Sequence, residues 1–225
     1  MISSQQVLGL DAEHLVQVDD KHQLQPTVKD AFLAMQEAAS LEGHDLQIAS
    51  SYRSFARQAS IWDRKWSGEL KLNSLDGHVL DTASLNNVQK MHAILLWSAL
   101  PGGSRHHWGT DFDIYDRTKV AACGVPFELV TEEYEGNGPC AALARWAEIN
   151  ASKFGFQRPY AKYAGGVAAE PWHLSYSPIA EQIISSFSVD LLREQLIESD
   201  ILGLDTVLLH LNSLFERYTL NRGKK

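Results

Sequence analysis

Cysteine is scarce in this chain: Cys123 and Cys140 are the only two among 225 residues. Two thiols cannot build a disulfide framework, and although they could pair across a loop, two idle thiols is the simpler reading. Positive charge is also in short supply, with 20 Lys and Arg against 28 Asp and Glu and a formal net charge of −8. A protein that grips nucleic acid by neutralising phosphates needs the opposite balance, so no nucleic-acid partner is expected. No apolar run approaches the roughly 20 residues that cross a bilayer, so no membrane partner is expected either. The opening MISSQQVLGLDAEHLVQ lacks a basic stretch followed by an apolar one and does not read as a signal peptide. If that start is native, the expected location is cytoplasmic, with the periplasm reached only by another export route. Repeats, low-complexity tracts and linkers rich in Pro, Gly or Ser are missing as well. What remains is 44% hydrophobic and 21% charged, an ordinary globular composition with enough chain for a substantial core.

Periodicity places the elements. Residues 1 to about 25 read as an irregular or short helical lead-in. Val28, Phe32, Met35 and Ala39 share one face of a helix over Thr27–Leu41, with Thr27 as N-cap and Gly43 as terminator. Leu46–Ser54 reads as a strand that delivers Arg53 to its end, and Phe55–Trp66 as a helix carrying Gln58. Residues 68–86 and 117–138 are polar and turn-rich, so both are expected to be loops bordering a site. Between them come a helix over Val88–Leu100 and a core strand, DFDIYD. A helix over Cys140–Phe154, with Pro139 in its first turn, leads to a loop at 160–169. After Pro178 the pattern is helical, over 179–187, 189–198 and 207–218.

The chemistry concentrates in two stretches, SRHHWGTDFD (Ser104–Asp113) and EPWH (Glu170–His173). Imidazoles and carboxylates bind zinc and move protons. Catalytic zinc takes three such ligands and leaves a position open for water, whose proton a nearby carboxylate can accept. His106, Asp113 and His173 suffice as ligands, with Glu170 as base. Spacing alone does not choose among the candidates. Asp111 and Asp113 share a face of a strand, so either fits, and only one of His106 and His107 points the right way. Glu170 and His173 fall on opposite faces of a regular strand, but Pro171 makes a bend there more natural.

These segments resemble the D-alanyl-D-alanine carboxypeptidase family of the VanY type. SRHHWGTDFD is similar to that family's S-x-H-x-x-G-x-x-x-D signature, EPWH to its E-x-x-H element, and SSYRS (Ser50–Ser54) to its arginine-bearing strand. The blocks occur in the family's order. The resemblance implies that His106, Asp113 and His173 hold Zn2+, that Glu170 is the general base, and that Arg53 holds substrate or stabilises the oxyanion. It also places Ser104 and Gln58 near the peptide's terminal carboxylate. Two departures stand out. Asp111 replaces a small apolar residue found in many relatives, and Leu174-Ser175 replaces an aromatic-basic pair. Asp111 reads either as a hydrogen-bond partner of a ligand histidine or as a solvated strand-end carboxylate. His107 reads as a residue behind a ligand or at the surface, and Trp172 as pocket lining or core.

The implied fold is α+β, a small antiparallel sheet flanked by helices, with a helical C-terminal extension. Residues 1–180 form the catalytic domain, its motifs lying within 50–176, and residues 181–225 are the extension packed on it. The expected function is a zinc-dependent carboxypeptidase that releases a C-terminal D-amino acid, D-alanine first, from peptidoglycan-type peptides. The alternatives are an endopeptidase on the same zinc site, or a non-catalytic zinc-binding interaction module. Lone histidines are usually structural, so His14, His22, His44, His78, His92 and His210 carry no assigned role. Trp62, Trp66, Trp97, Trp108 and Trp146 read as packing residues.

Overall fold

A computed structural model of the chain describes residues 2–223. The lead-in is folded. α1 (Ser4–Val7) carries a capping box in which Ser3 and Gln6 satisfy each other's backbone amides. A hairpin of β1 (Val16–Gln17) and β2 (Gln23–Leu24) follows. α2 (Pro26–Leu41) starts one residue before the expected cap: Pro26 takes the first helical position, where its missing N–H costs nothing, so Gln25 and not Thr27 is the N-cap. Its face of Val28, Phe32, Met35 and Ala39 is fully buried.

β3 (Leu46–Ser50) stops short of Ser54, because the Ser54 hydroxyl accepts from the Arg57 amide and caps α3 (Phe55–Trp66). The segment 68–86 contains a small hairpin of β4 (Leu72–Asn73) and β5 (Val79–Leu80). α4 (Asn87–Leu95) ends before Leu100. After β6 (Asp111–Asp116) the expected loop 117–138 begins with a helix, α5 (Arg117–Cys123), which the Asp116 carboxylate caps. α6 (Ala141–Asn150) passes into a 3₁₀ turn over Ala151–Phe154, and Pro139 lies ahead of it. β7 (Phe156–Gln157) and β8 (His173–Tyr176) complete the strands. The tail folds as α7 (Ser177–Ser186), α8 (Val189–Ile197) and α9 (Leu204–Leu214), the last running into a π-helical turn, Phe215–Thr219. Both thiols are free; Cys123 is exposed and Cys140 buried.

The central sheet is antiparallel throughout, in the order β3-β6-β8-β7, and the fold is α+β. Alternation along β6 separates two chemistries. Phe112 and Ile114 enter a core with Phe32, Met35 and Leu174, where Phe112 meets Phe32 and Phe156 edge-to-face at 5.2 and 5.1 Å. Asp111 and Asp113 point the other way, paired in register with Ser175 and His173. A second core joins Trp62 of α3 and Ile94 and Leu95 of α4 to Leu192, Val207, Leu211 and Tyr218 of the tail.

Removing the Phe112 ring would leave a cavity between two aromatic neighbours. Phe112→Ala should lower unfolding free energy by about 3–5 kcal/mol. Leu209→Ala, at a side chain 79% exposed, should change it by less than about 0.5 kcal/mol. Urea unfolding of the two variants checks both values.

Candidate metal centre

Strand register brings the first pair of candidate ligands together, since Asp113 lies directly opposite His173 across β6 and β8. Their facing atoms, Asp113 Oδ1 and His173 Nδ1, are 3.1 Å apart. His106 arrives from a 3₁₀ turn, Arg105–Trp108, which packs it edge-on against His173 at 4.9 Å between ring centroids. Its Nε2 is 3.5 Å from Asp113 Oδ2. One donor atom from each of His106, Asp113 and His173 lies within 4.8 Å of the others, and all three residues are buried. Gly109 ends the 3₁₀ turn at φ 67, and an added Cβ there would come within 2.2 Å of Leu15. Only glycine suits that corner.

The orientation of each ring is set from outside the centre. His106 Nδ1 donates to the Ser51 carbonyl at 2.9 Å, which leaves Nε2 to face inward. His173 does the reverse: its Nε2 meets Asp111 Oδ1 at 3.0 Å, and Nδ1 faces inward. Asp111 itself is fully buried. It accepts from Arg105 Nε (2.7 Å), Thr110 Oγ1 (2.6 Å) and Ser175 Oγ (3.0 Å), while Arg105 Nη2 also donates to Ser175 Oγ at 2.6 Å. Asp111 is therefore not a solvated strand-end carboxylate. The two departures from the family pattern, Asp111 and Ser175, belong to one hydrogen-bonded network.

The surrounding charges act in opposite directions on the two rings. Burial would lower the pKa of His173, but Asp111 and Asp113 outweigh it and carry it to about 9. Burial, with Arg53 and His173 nearby, holds His106 well below its ordinary range, so its inward nitrogen keeps its lone pair. Burial likewise raises Glu170 to about 7. Its Oε2 is 3.4 Å from His173 Nδ1, because a turn at 170–173 closed by the His173 amide on the Glu170 carbonyl replaces a regular strand.

Arg53 follows β3, and its Nη1 donates to Gln58 Oε1 at 3.1 Å. Gln58, with no exposed surface, donates in turn to Ala99 O at 2.8 Å and Ser98 Oγ at 3.2 Å. It lines neither cavity beside the centre and stands behind Arg53. His107 is buried rather than at the surface. Its Nδ1 donates to the Arg53 carbonyl at 2.6 Å and its Nε2 accepts from the Gly102 amide at 3.1 Å, tying the two loops together.

The centre sits between two cavities. The larger, about 530 Å³, is bounded by Arg53, Lys65 and Trp172 and by the two loops, through Asn73–Gly77 and Glu128–Glu132. The smaller, about 50 Å³, is lined by Arg53, Ser104 and Glu170 among others, and the Ser104 hydroxyl is buried without a hydrogen-bond partner. Trp172 is both buried and cleft-lining, and it stacks on Trp97 at 6.4 Å, so Trp97 is also more than packing. Lys65 has no counterpart among the residues singled out from sequence. Burial, then Arg53, lowers its pKa to about 8. Its signal was its position two helical turns after Gln58, on the same face of α3.

Two inward imidazole nitrogens and a carboxylate oxygen without a hydrogen-bond partner fit a tetrahedral ion such as zinc. With Glu170 alongside, these groups are of the kind that metal-dependent hydrolases use. Residues 21–179 match the profile described as VanY, D-alanyl-D-alanine carboxypeptidase, and the chain belongs to that family. It is 31% identical over 159 residues to the putative carboxypeptidase YodJ of Bacillus subtilis, covering 69% of this chain and 47% of that protein. It is 29% identical over 156 residues to a D-alanyl-D-alanine carboxypeptidase of Enterococcus faecalis, covering 68% and 46%. An uncharacterized Haemophilus influenzae protein is 35% identical over 121 residues, covering 53% of this chain and 92% of that one. Among solved structures, the D,D-pentapeptidase VanY from a VanB-type resistance cassette in complex with Zn(II) is 26% identical with a TM-score of 0.52, covering 77% of this chain and 84% of that one. The LD-carboxypeptidase LdcB is also 26% identical, with a TM-score of 0.55 and coverage of 77% and 73%.

The hydrogen-bond pattern separates the two aspartates. Asp113→Asn should abolish most zinc binding, whereas Asp111→Asn should weaken it about 10- to 100-fold, the usual cost of losing a partner behind a ligand. Titration of each variant with zinc against a competing chelator checks the order. Equal or greater loss from Asp111→Asn would mean that the wrong carboxylate has been chosen.

Proposed function

We propose that this protein is a zinc-dependent carboxypeptidase that releases a C-terminal D-amino acid, D-alanine first, from peptidoglycan-type peptides. One observation carries the reading: the metal centre lies between a larger cleft and a small cavity, with Arg53 and Glu170 lining both and an unpartnered Ser104 hydroxyl lining the smaller. A peptide laid in the cleft puts its last bond at the metal and its terminal residue in the cavity. The names of relatives support the substrate class, since the similar VanYB was solved with D-alanine-D-alanine bound.

Zinc held by His106, Asp113 and His173 supplies Lewis acidity and a nucleophile available near neutral pH. Glu170 accepts the proton of the attacking water and returns it to the departing amine. Burial raises its pKa, the direction that suits a group that must both take and return a proton. The Arg53 guanidinium, aimed by Gln58, holds the terminal carboxylate or the developing oxyanion, as a planar fork does well. Ser104 Oγ donates to the same carboxylate. Asp111 keeps His173 in the correct tautomer, and Gln58 acts as a positioning residue for Arg53.

An endopeptidase would need room for chain beyond the released residue, and the 50 Å³ cavity argues against it. A merely structural zinc site would have no use for a buried carboxylate 3.4 Å from a ligand histidine.

The test is incubation of zinc-loaded protein with synthetic stem tetra- and pentapeptides, with products read by mass spectrometry. Loss of one terminal D-residue is expected. Glu170→Gln should keep fold and zinc while kcat falls about 10²- to 10⁴-fold. Arg53→Ala should lose rate and also raise KM. A Glu170→Gln protein that works at the wild-type rate would overturn the mechanism. A wild-type protein that binds zinc and peptide but cleaves nothing would favour the binding module.

A further inference from the structure

The small cavity is completed by a part of the chain that lies beyond the family-matched segment. It is lined by Arg53, Ser104 and Glu170 together with a wall of Leu100, Tyr218 and Thr219. Those last three are only 3%, 6% and 6% exposed, so the wall is made of buried side chains. Tyr218 and Thr219 belong to the π-helical turn after α9, whereas the family match ends at residue 179. Single π-turns are rare and frequent at functional sites, and here the turn brings both residues to the lining of the same cavity as His106, Glu170 and His173.

The wall is fixed in place by α4 and by the loops that carry the site. The Tyr218 hydroxyl is 2.9 Å from His92 Nδ1 on α4. Arg217 Nε donates to the Gly165 carbonyl, and Asn221 spans from the Val167 amide to the Pro159 carbonyl at 3.2 Å each. These contacts clamp the segment that leads to Glu170. On the other side, a Cβ on Gly103 would approach Thr219 Oγ1 to 2.9 Å, immediately before Ser104. At Gly166 a Cβ would come within 2.2 Å of the Arg217 carbonyl oxygen. The tail and both catalytic loops are thus packed too closely to shift independently.

We propose that Tyr218 and Thr219 of the C-terminal extension are specificity-determining residues that restrict the released residue to an alanine-sized side chain. The inference rests on the carboxypeptidase reading above. A water needs about 10–15 Å³ of such space, so a 50 Å³ cavity admits roughly four water-sized groups, enough for a methyl and a carboxylate. A branched or aromatic side chain has no room.

The experiment compares kcat/KM for two stem peptides that differ only in ending with D-alanine or D-leucine. Wild type should prefer D-alanine strongly. Tyr218→Ala should lower that preference at least about 10-fold, the scale on which pocket size discriminates. Thr219→Ala, a milder change, should shift it in the same direction should Tyr218→Ala not fold. Thr219→Leu should fill the cavity and raise KM for the D-alanine peptide while zinc content stays unchanged. A tail that only stabilises the fold would slow both peptides alike, and an unchanged ratio in the folded variants would overturn the proposal. Should wild type cleave neither peptide, the carboxypeptidase reading fails separately. The pocket is then decided by calorimetry with free D-alanine and D-leucine on zinc-loaded protein. Selective D-alanine binding that Thr219→Leu removes supports the wall, and binding indifferent to the variant overturns it.

Discussion

The site depends on a carboxylate that never faces it. Asp111 is fully buried, and burial pushes its carboxyl up, yet Arg105 and His173 outweigh that and hold it below the ordinary range. It survives as a buried charge because four donors surround it, one of them a guanidinium. Breaking such a pair typically costs about 3–5 kcal/mol. Its consequence reaches the centre through one ring. With His173 Nε2 committed to Asp111, only Nδ1 is left to look inward, while the Ser51 carbonyl leaves His106 the opposite nitrogen. Had either outer partner been missing, the rings could turn and the three donor atoms would not converge.

The rest of the fold serves that convergence. β6 carries Phe112 and Ile114 into the core on one face and Asp111 and Asp113 to the site on the other, so the same alternation that anchors the strand aims the carboxylates. α3 supplies Gln58 behind Arg53 and Lys65 beside it, and α4 supports the tail that walls the small cavity. His107, two residues before Gly109, ties the loop of Arg53 to that of Gly102. Each loop bearing a functional side chain is therefore fastened to another, which is how a site built largely outside regular elements keeps its geometry.

Long, strongly periodic segments were legible in the sequence. The face Val28–Phe32–Met35–Ala39 follows directly from burial on one side, and the alternation of apolar residues and carboxylates in DFDIYD separates a core face from a site face, both of them buried. The grouping of His106, Asp113 and His173 was legible through motif resemblance, because spacing alone left Asp111 and His107 in contention. What separates those pairs is tertiary: Asp111 points at Arg105, and His107 at backbone groups of distant loops. The strands of two residues, such as β4, β5 and β7, are too short to show any alternation. The Thr27 cap was missed because proline's preference for the first turn outranked a good capping side chain one residue on. Tyr218 and Thr219 carry no local signal of function, since the tail reaches the site only through tertiary contacts with α4 and with the segment before Glu170.

The central claim is that opposite nitrogens of the two histidines, with Asp113, hold one zinc ion, and that Asp111 stays behind His173. Anomalous diffraction at the zinc edge from crystals of zinc-loaded protein tests it directly. The account predicts one ion at about 2.0–2.2 Å from His106 Nε2, His173 Nδ1 and an Asp113 oxygen, with Glu170 uncoordinated and His173 Nε2 still on Asp111. An ion bound by Asp111 or by His173 Nε2, or no ion at this site, would contradict it.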